Sequence, residues 1–412
     1  MKKTLGLREQ LFHLLAEAAE VEHTLMCSYL YVAFSLRAKD DVALSAAERA
    51  AVARWRETIL GVAIEEMSHL LVVANVSAAL GGRPHLARPN FPVSPGYFPS
   101  GVAVKLAPFS EATLDHLIFL ERPRGVKGHD GPGFQEADYR REEAYEGLMP
   151  GVRDYRTVGD LYEVLKSTLT QAHEVIGTGL FIGGAGAQVD GKLIGAKDVR
   201  PVLDLPEAIA ALDTIVEQGE GSPGDREDSH YRRFQMVRSE YETLRAANPS
   251  FAPARPSATN PVMRRPPDPE DKVFVEHPEA ARVLDFANAV YGHLLRLLVQ
   301  AFGRSGPRAA DEQRDCIDAA VHLMHAVDRL GSLLARLPAT PSAQGDTAGL
   351  TFTMLRGVEP LLQGEGEILL LTERWQELRD EAEVLEARHG VLEGLTSRVT
   401  AALPAFARHK PR

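Results

Sequence analysis

The stretch GVAIEEMSHLLVVANVSAALGG, residues 61–82, decides the fold class. Its apolar residues recur at helical spacing, and with Ile59 just upstream they form one face: Val62, Ala63, Leu70, Val73 and Ser77. Glu66 falls at the centre of that face and His69 at its edge, whereas Glu65 points away. Gly81-Gly82 and then Pro84 stop the helix, so the spacing predicts one helix over 46–80. A carboxylate in an apolar helix face costs several kcal/mol unless it is paired or bound to a metal.

The same oddity recurs on both sides. Residues 5–37 read as a long helix with an inward stripe that includes Leu11, Leu15, Ala18, Leu25, Met26 and Tyr29. Glu22 sits in the middle of that stripe, and Glu17, Glu20 and His23 fall off it. A helix predicted over 225–246 shows a face of Tyr231, Phe234 and Tyr241, shared by Glu227 with His230 three residues later. Glu66-Met67-Ser68-His69 and Glu227-Asp228-Ser229-His230 are therefore two Glu-x-x-His pairs on two helices. One such pair arises often by chance on a solvated face. Two facing a core, with Glu22 between, point to a shared cation.

Helical bundles solve this with a dinuclear carboxylate site: one Glu from each of two helices and a Glu-x-x-His from each of the other two. The fourth carboxylate is Glu121, which shares a face with Leu114, Leu117 and Ile118 at the end of a helix over 110–121. Glu163 lies off the stripe of its own helix, 157–175, and Asp160 lies opposite that stripe. The expected ligands are thus Glu22, Glu66, His69, Glu121, Glu227 and His230. Four carboxylates and two neutral imidazoles carry a charge of about −4, which two divalent ions neutralise. The oxygen-rich set suits iron first, with manganese or a mixed pair as alternatives, better than a closed zinc site.

The rest of the chain frames that core. It has 412 residues, enough for two or three domains. Few strand signals appear, so the expected class is all-α: a four-helix bundle with long inserted loops over 1–247, a Pro-rich linker over 248–271, and a second helical bundle over 272–412. Helices are expected at 206–217 and, in the second bundle, near 278–303, 310–336, 348–388 and 391–408. Two inserts, 83–108 with its six prolines and the Gly-rich 177–200, are expected to roof the metal cavity. Net charge is −11, from 46 basic and 57 acidic residues, which argues against nucleic acid or an anionic membrane as partner. Two cysteines, Cys27 and Cys316, exclude a disulfide framework. Polar residues from Arg8 to Glu17 interrupt any signal-peptide core, and no apolar run approaches the roughly 20 residues of a span. A cytoplasmic location is the expectation.

Several of these stretches also resemble a known family. Glu22-His23-Thr24-Leu25, the 61–84 stretch, NFPVSPGYFPSGVAVKLAPFS (90–110), FLERP (119–123), TVGDLYEVL (157–165) and SHYRRF (229–234) resemble the ferritin-like domain shared by iminophenyl-pyruvate dimer synthase of violacein biosynthesis and chromopyrrolate synthase. The likeness covers about residues 5–247, and more weakly AGLTFTMLRGVEPL (348–361). It implies an oxidative role in secondary metabolism. Named members couple two amino-acid-derived imines, and some are described as haem or iron dependent. Those synthases are much longer, and the family's usual Glu is Asp160 here.

The function expected is a dinuclear metal oxidoreductase acting on a small organic substrate, amino-acid derivatives among the candidates, with dioxygen or peroxide, an oligomer being left open. The alternative is a non-catalytic metal-binding or storage protein, or a scaffold with a vestigial site. Other features read as bland. Gly183, Gly184 and Gly186 lack the Gly-Lys-Ser/Thr ending of a phosphate loop. His293 reads as a satisfied core histidine, and Tyr29, Tyr231 and Tyr241 as residues near the pocket.

Overall fold

The computed structural model describes the chain apart from residues 1–5, 39–40, 42, 95, 99–102, 135–147, 152–153, 221–227, 343–344, 357 and 404–412. Its described helices are α1 (Leu7–Ser35), α2 (Ala46–Ala79), α3 (Glu111–Leu120), α4 (Val158–Ile176), α5 (Leu205–Gly219), α6 (His230–Ala247), α7 (Pro278–Gln300), α8 (Ala309–Leu334), α9 (Glu365–Arg388) and α10 (Leu395–Thr400). The described strands are a two-residue parallel pair, β1 (Pro261–Val262) with β2 (Val273–Phe274).

Local chemistry sets the helix ends. Ser45 and Glu48 form a reciprocal capping box at α2: the Glu48 N–H donates to Ser45 Oγ at 3.3 Å and the Ser45 N–H to Glu48 Oε2 at 2.8 Å. Thr157 with Asp160 does the same for α4, and Ser110, Asp204 and Ser229 cap α3, α5 and α6. The Ser229 cap starts α6 at His230, later than the expected 225.

α1 and α2 form the spine, and α1 from Leu14 and α2 from His69 are buried on nearly every side. On one side lie α3, α4, α5 and α6. On the other lie α7, α8 and the segment around Phe352, and one apolar core runs through both. At Gly331 of α8 a Cβ would stand 2.2 Å from the Phe34 ring, so only glycine admits that approach to α1. This two-sided burial corrects the reading of α1 as one-faced. His23 and Cys27 are wholly buried against Tyr291 of α7, and Glu17 is buried where it accepts from Tyr155 at 3.1 Å.

Two expected helices are shorter than their apolar patterns. Residues 348–364 are non-helical where described, and the helix begins only at Glu365. Leu350 and Phe352 are fully buried there, and Phe352 has φ +45°, a conformation that a helix excludes. The helix expected over 391–408 is reduced to α10, and its end from 404 lies outside the described residues. The Pro-rich segment 248–271 threads between the two sides: the Arg255 N–H donates to Ser35 O and the Asn260 N–H to Leu106 O, both at 2.8 Å.

By length and composition α2 is apolar enough to cross a bilayer, with a window of mean hydropathy 1.5, but 67% of that window is buried within the protein.

Candidate metal centre

Three helices and one helix end bring five of the six expected residues together. Glu22 comes from α1, Glu66 and His69 from α2, Glu121 from the C-terminal end of α3, and His230 from the first residue of α6. All five are at least 96% buried. Glu227, the sixth, lies outside the described residues.

Glu66 is the centre. Its Oε2 lies 2.8 Å from His69 Nδ1, and its Oε1 lies 3.0 Å from His230 Nδ1. Glu22 Oε2 adds to the first half, 3.4 Å from His69 Nδ1. Glu121 Oε2 adds to the second, 3.6 Å from His230 Nδ1. The two imidazoles stack at 5.5 Å between centroids. Two triads therefore share one carboxylate: Glu22, Glu66 and His69, and Glu66, Glu121 and His230.

An outer layer fixes these groups, and most of it carries no sequence motif. Tyr162 of α4 donates to Glu22 Oε1 at 2.5 Å, and Tyr29 donates to Glu121 Oε1. Each terminal carboxylate thus has one oxygen held by a phenol and the other turned inward. His69 Nε2 donates to Gln218 Oε1 at 2.8 Å, and the Gln218 amide donates in turn to Asp198 at 2.9 Å. His230 Nε2 donates to Glu65 Oε2 at 2.8 Å, and Arg233 holds Glu65. Glu65 points away from the apolar stripe but toward α6 rather than solvent. Tyr162 was legible only as part of the α4 apolar face, and Gln218 carried no motif. Tyr241 packs instead among Trp55, Phe109 and Phe251.

A second unforeseen acid, Glu220 after α5, lines the same pocket. It accepts from the Gly159 N–H at 2.7 Å and the Arg124 N–H at 3.1 Å. A Cβ on Gly159 would stand 2.4 Å from its carboxylate, so glycine makes that place. Glu163 and Asp160 lie outside the cluster: both pair with Arg124, at 3.2 and 3.0 Å, and Asp160 also closes the α4 capping box. Nor do the described residues of the two long inserts wall the pocket. Val158, Ile215 and Val216 of α4 and α5 do, because the 83–108 segment packs over His23 on the far side of α1, and Asn75 pins the Gly-rich segment to α2.

The donor set fits a cation. With Nε2–H committed outward, each neutral imidazole turns a lone pair at the carboxylates. Glu66 Oε1 and His230 Nδ1 are buried, 3.0 Å apart, and neither makes a hydrogen bond among the described residues. On protein groups alone the cluster draws in positive charge. Burial and the neighbouring Glu66 push Glu22 up to about 8. Burial would raise Glu66 too, but His230 and His69 hold it well below the usual carboxylate range. Burial would lower both imidazoles, yet Glu66 above all lifts His69 to about 10 and His230 well above its ordinary value.

An all-α bundle with a buried carboxylate–imidazole cluster at its centre defines a class of protein. Residues 15–239 match the family model described as Ferritin-like, more than half of the chain, and the chain belongs to that family. It is 28% identical over 389 residues to dichlorochromopyrrolate synthase of Lentzea aerocolonigenes, an alignment covering 85% of this chain and 36% of that protein. It is 26% identical over 364 residues to 2-imino-3-(indol-3-yl)propanoate dimerase of Chromobacterium violaceum, covering 83% and 33%. The chain thus spans about a third of the length of these curated relatives, both named as enzymes. The crystal structure of a ferritin like protein from Caulobacter vibrioides matches at 19% identity and a TM-score of 0.45, over 75% of this chain and 93% of that one.

Proposed function

We propose that the cluster holds two divalent metal ions, iron before manganese, and that the protein is a metal-dependent oxidoreductase of secondary metabolism. The substrate class proposed is a small, amino-acid-derived organic molecule, with dioxygen or peroxide as oxidant. The observation that carries this reading is Glu66, whose two oxygens each face a different imidazole at 2.8 and 3.0 Å. Glu22 and His69 would complete one position and Glu121 and His230 the other, with Glu227 as the sixth ligand. The kinship with two enzymes whose names give a synthase and an imine dimerase supports an enzyme over a store.

When bound, the ions supply redox capacity and Lewis acidity that side chains lack. The chain's own residues do the rest. Tyr162 and Tyr29 hold their protons on Glu22 Oε1 and Glu121 Oε1, which leaves one inward oxygen on each acid. Gln218 and Glu65 fix both rings with Nδ1 inward. Leu25, Val158, Ile215 and Val216 keep water off the charged centre, where electrostatic interactions are strongest.

Oxygen uptake separates the readings. Iron-loaded protein given imines of aromatic amino acids should consume dioxygen through many turnovers, and His69→Ala should abolish that uptake. Uptake that stops once the bound iron is oxidised, whatever organic molecule is present, would favour storage.

A further inference from the structure

On the other flank of the α1–α2 spine lies a second cavity, of about 70 Å³. One water needs roughly 10–15 Å³ on the same measure. Met26, Phe34 and Met67 wall it from the spine, and Leu298, Met324 and Phe352 from the opposite side. The spine helices are a shared partition. Glu22, Leu25, Glu66 and His69 open on the acidic pocket, whereas Met26 and Met67, one turn beyond Glu22 and one residue beyond Glu66, open on this one.

Its polar wall groups are already committed. The Tyr291 hydroxyl meets His23 Nε2, Cys27 Sγ at 3.4 Å and Arg88 at 3.4 Å. Asp328 accepts from Arg56 at 2.7 Å. Arg88 itself is buried behind Tyr291 and is held by the Pro89 and Phe352 carbonyls. A ligand there finds a wall that is almost wholly apolar, its one carboxylate, Asp328, already paired with Arg56. Three methionines adapt to shape and favour ring contacts through sulfur, and Phe34, Phe352 and Tyr291 present ring faces and edges.

We propose that this cavity is a binding site for a small neutral aromatic molecule, separate from the acidic cluster and independent of its metal reading. Burial of a ring against such a wall needs no partner for a charge, and an anionic ring would arrive with an unmatched one.

Benzene titrated into protein carrying ¹³C-methyl methionine tests this. The Met26, Met67 and Met324 methyl resonances should shift along one saturable curve while the other five of the eight methionines stay in place. Leu298→Phe fills the cavity and should weaken binding at least about tenfold, and Leu71→Phe should do the same from the opposite wall. Benzoate should leave all eight resonances unmoved. No saturable shift, shifts spread over all eight methyls, or unchanged affinity in the filled variants would overturn the proposal. So would benzoate binding as well as benzene, because that would assign an anion site at Arg88. The wild-type titration stands alone if a filled variant does not fold.

Discussion

Tyr162, Glu22 and His69 on one side of Glu66, and Tyr29, Glu121 and His230 on the other, repeat one arrangement. Each half has a phenol holding a carboxylate and an imidazole turned to the centre. Behind the imidazoles the halves diverge. His69 leans on a neutral amide, Gln218, whereas His230 leans on the carboxylate of Glu65, which Arg233 anchors. A carboxylate behind a ligating histidine makes the ring a stronger donor than an amide does. Shared inner geometry does not make the two positions equal. On the proposed reading, the His230 half holds its ion more tightly.

The largest effect should come from removing what the halves share. Glu66→Ala should take bound metal from two ions per chain to nearly none, measured by elemental analysis, with helicity by circular dichroism largely kept. Retention of one ion would show that a half stands without its bridge. Next, His69→Ala and His230→Ala should each lose about one ion, and the ion left in His69→Ala should be the tighter of the two by titration. Equal affinities would erase the asymmetry.

Exchange of the outer partners is the finer test. Glu65→Gln should weaken only the His230 position, and Gln218→Glu should strengthen only the His69 position, each by about 10–100-fold. A change felt equally at both would mean that the backing groups do not set the difference. Tyr162→Phe and Tyr29→Phe should each lower stability by about 1–3 kcal/mol in chemical denaturation, because a buried carboxylate oxygen loses its donor. The smallest effect belongs to Glu163→Gln, half exposed and outside both halves, which should stay within about 0.5 kcal/mol and leave metal content unchanged.

The inner layer was more legible in the sequence than the outer. Glu22, Glu66 and Glu121 each interrupt an apolar helical stripe, and a buried acid is rare enough to notice. Tyr162 is an ordinary member of an apolar face, and Gln218 and Glu220 lie near a helix end, so no period marks them. Periodicity also assumes one buried face. It failed for His23 and Cys27, because α7 covers the second side of α1. Apolar content without caps does not mark 348–364 as non-helical, where buried Leu350 and Phe352 fill the core from an irregular segment of chain.

The central claim is that Glu66 stands between two ion positions. An anomalous difference map from crystals grown with manganese(II) tests it most directly. Two peaks are predicted, one bounded by Glu22, Glu66 and His69 and the other by Glu66, Glu121 and His230. A single peak, or peaks that leave Glu66 uncoordinated, would contradict it.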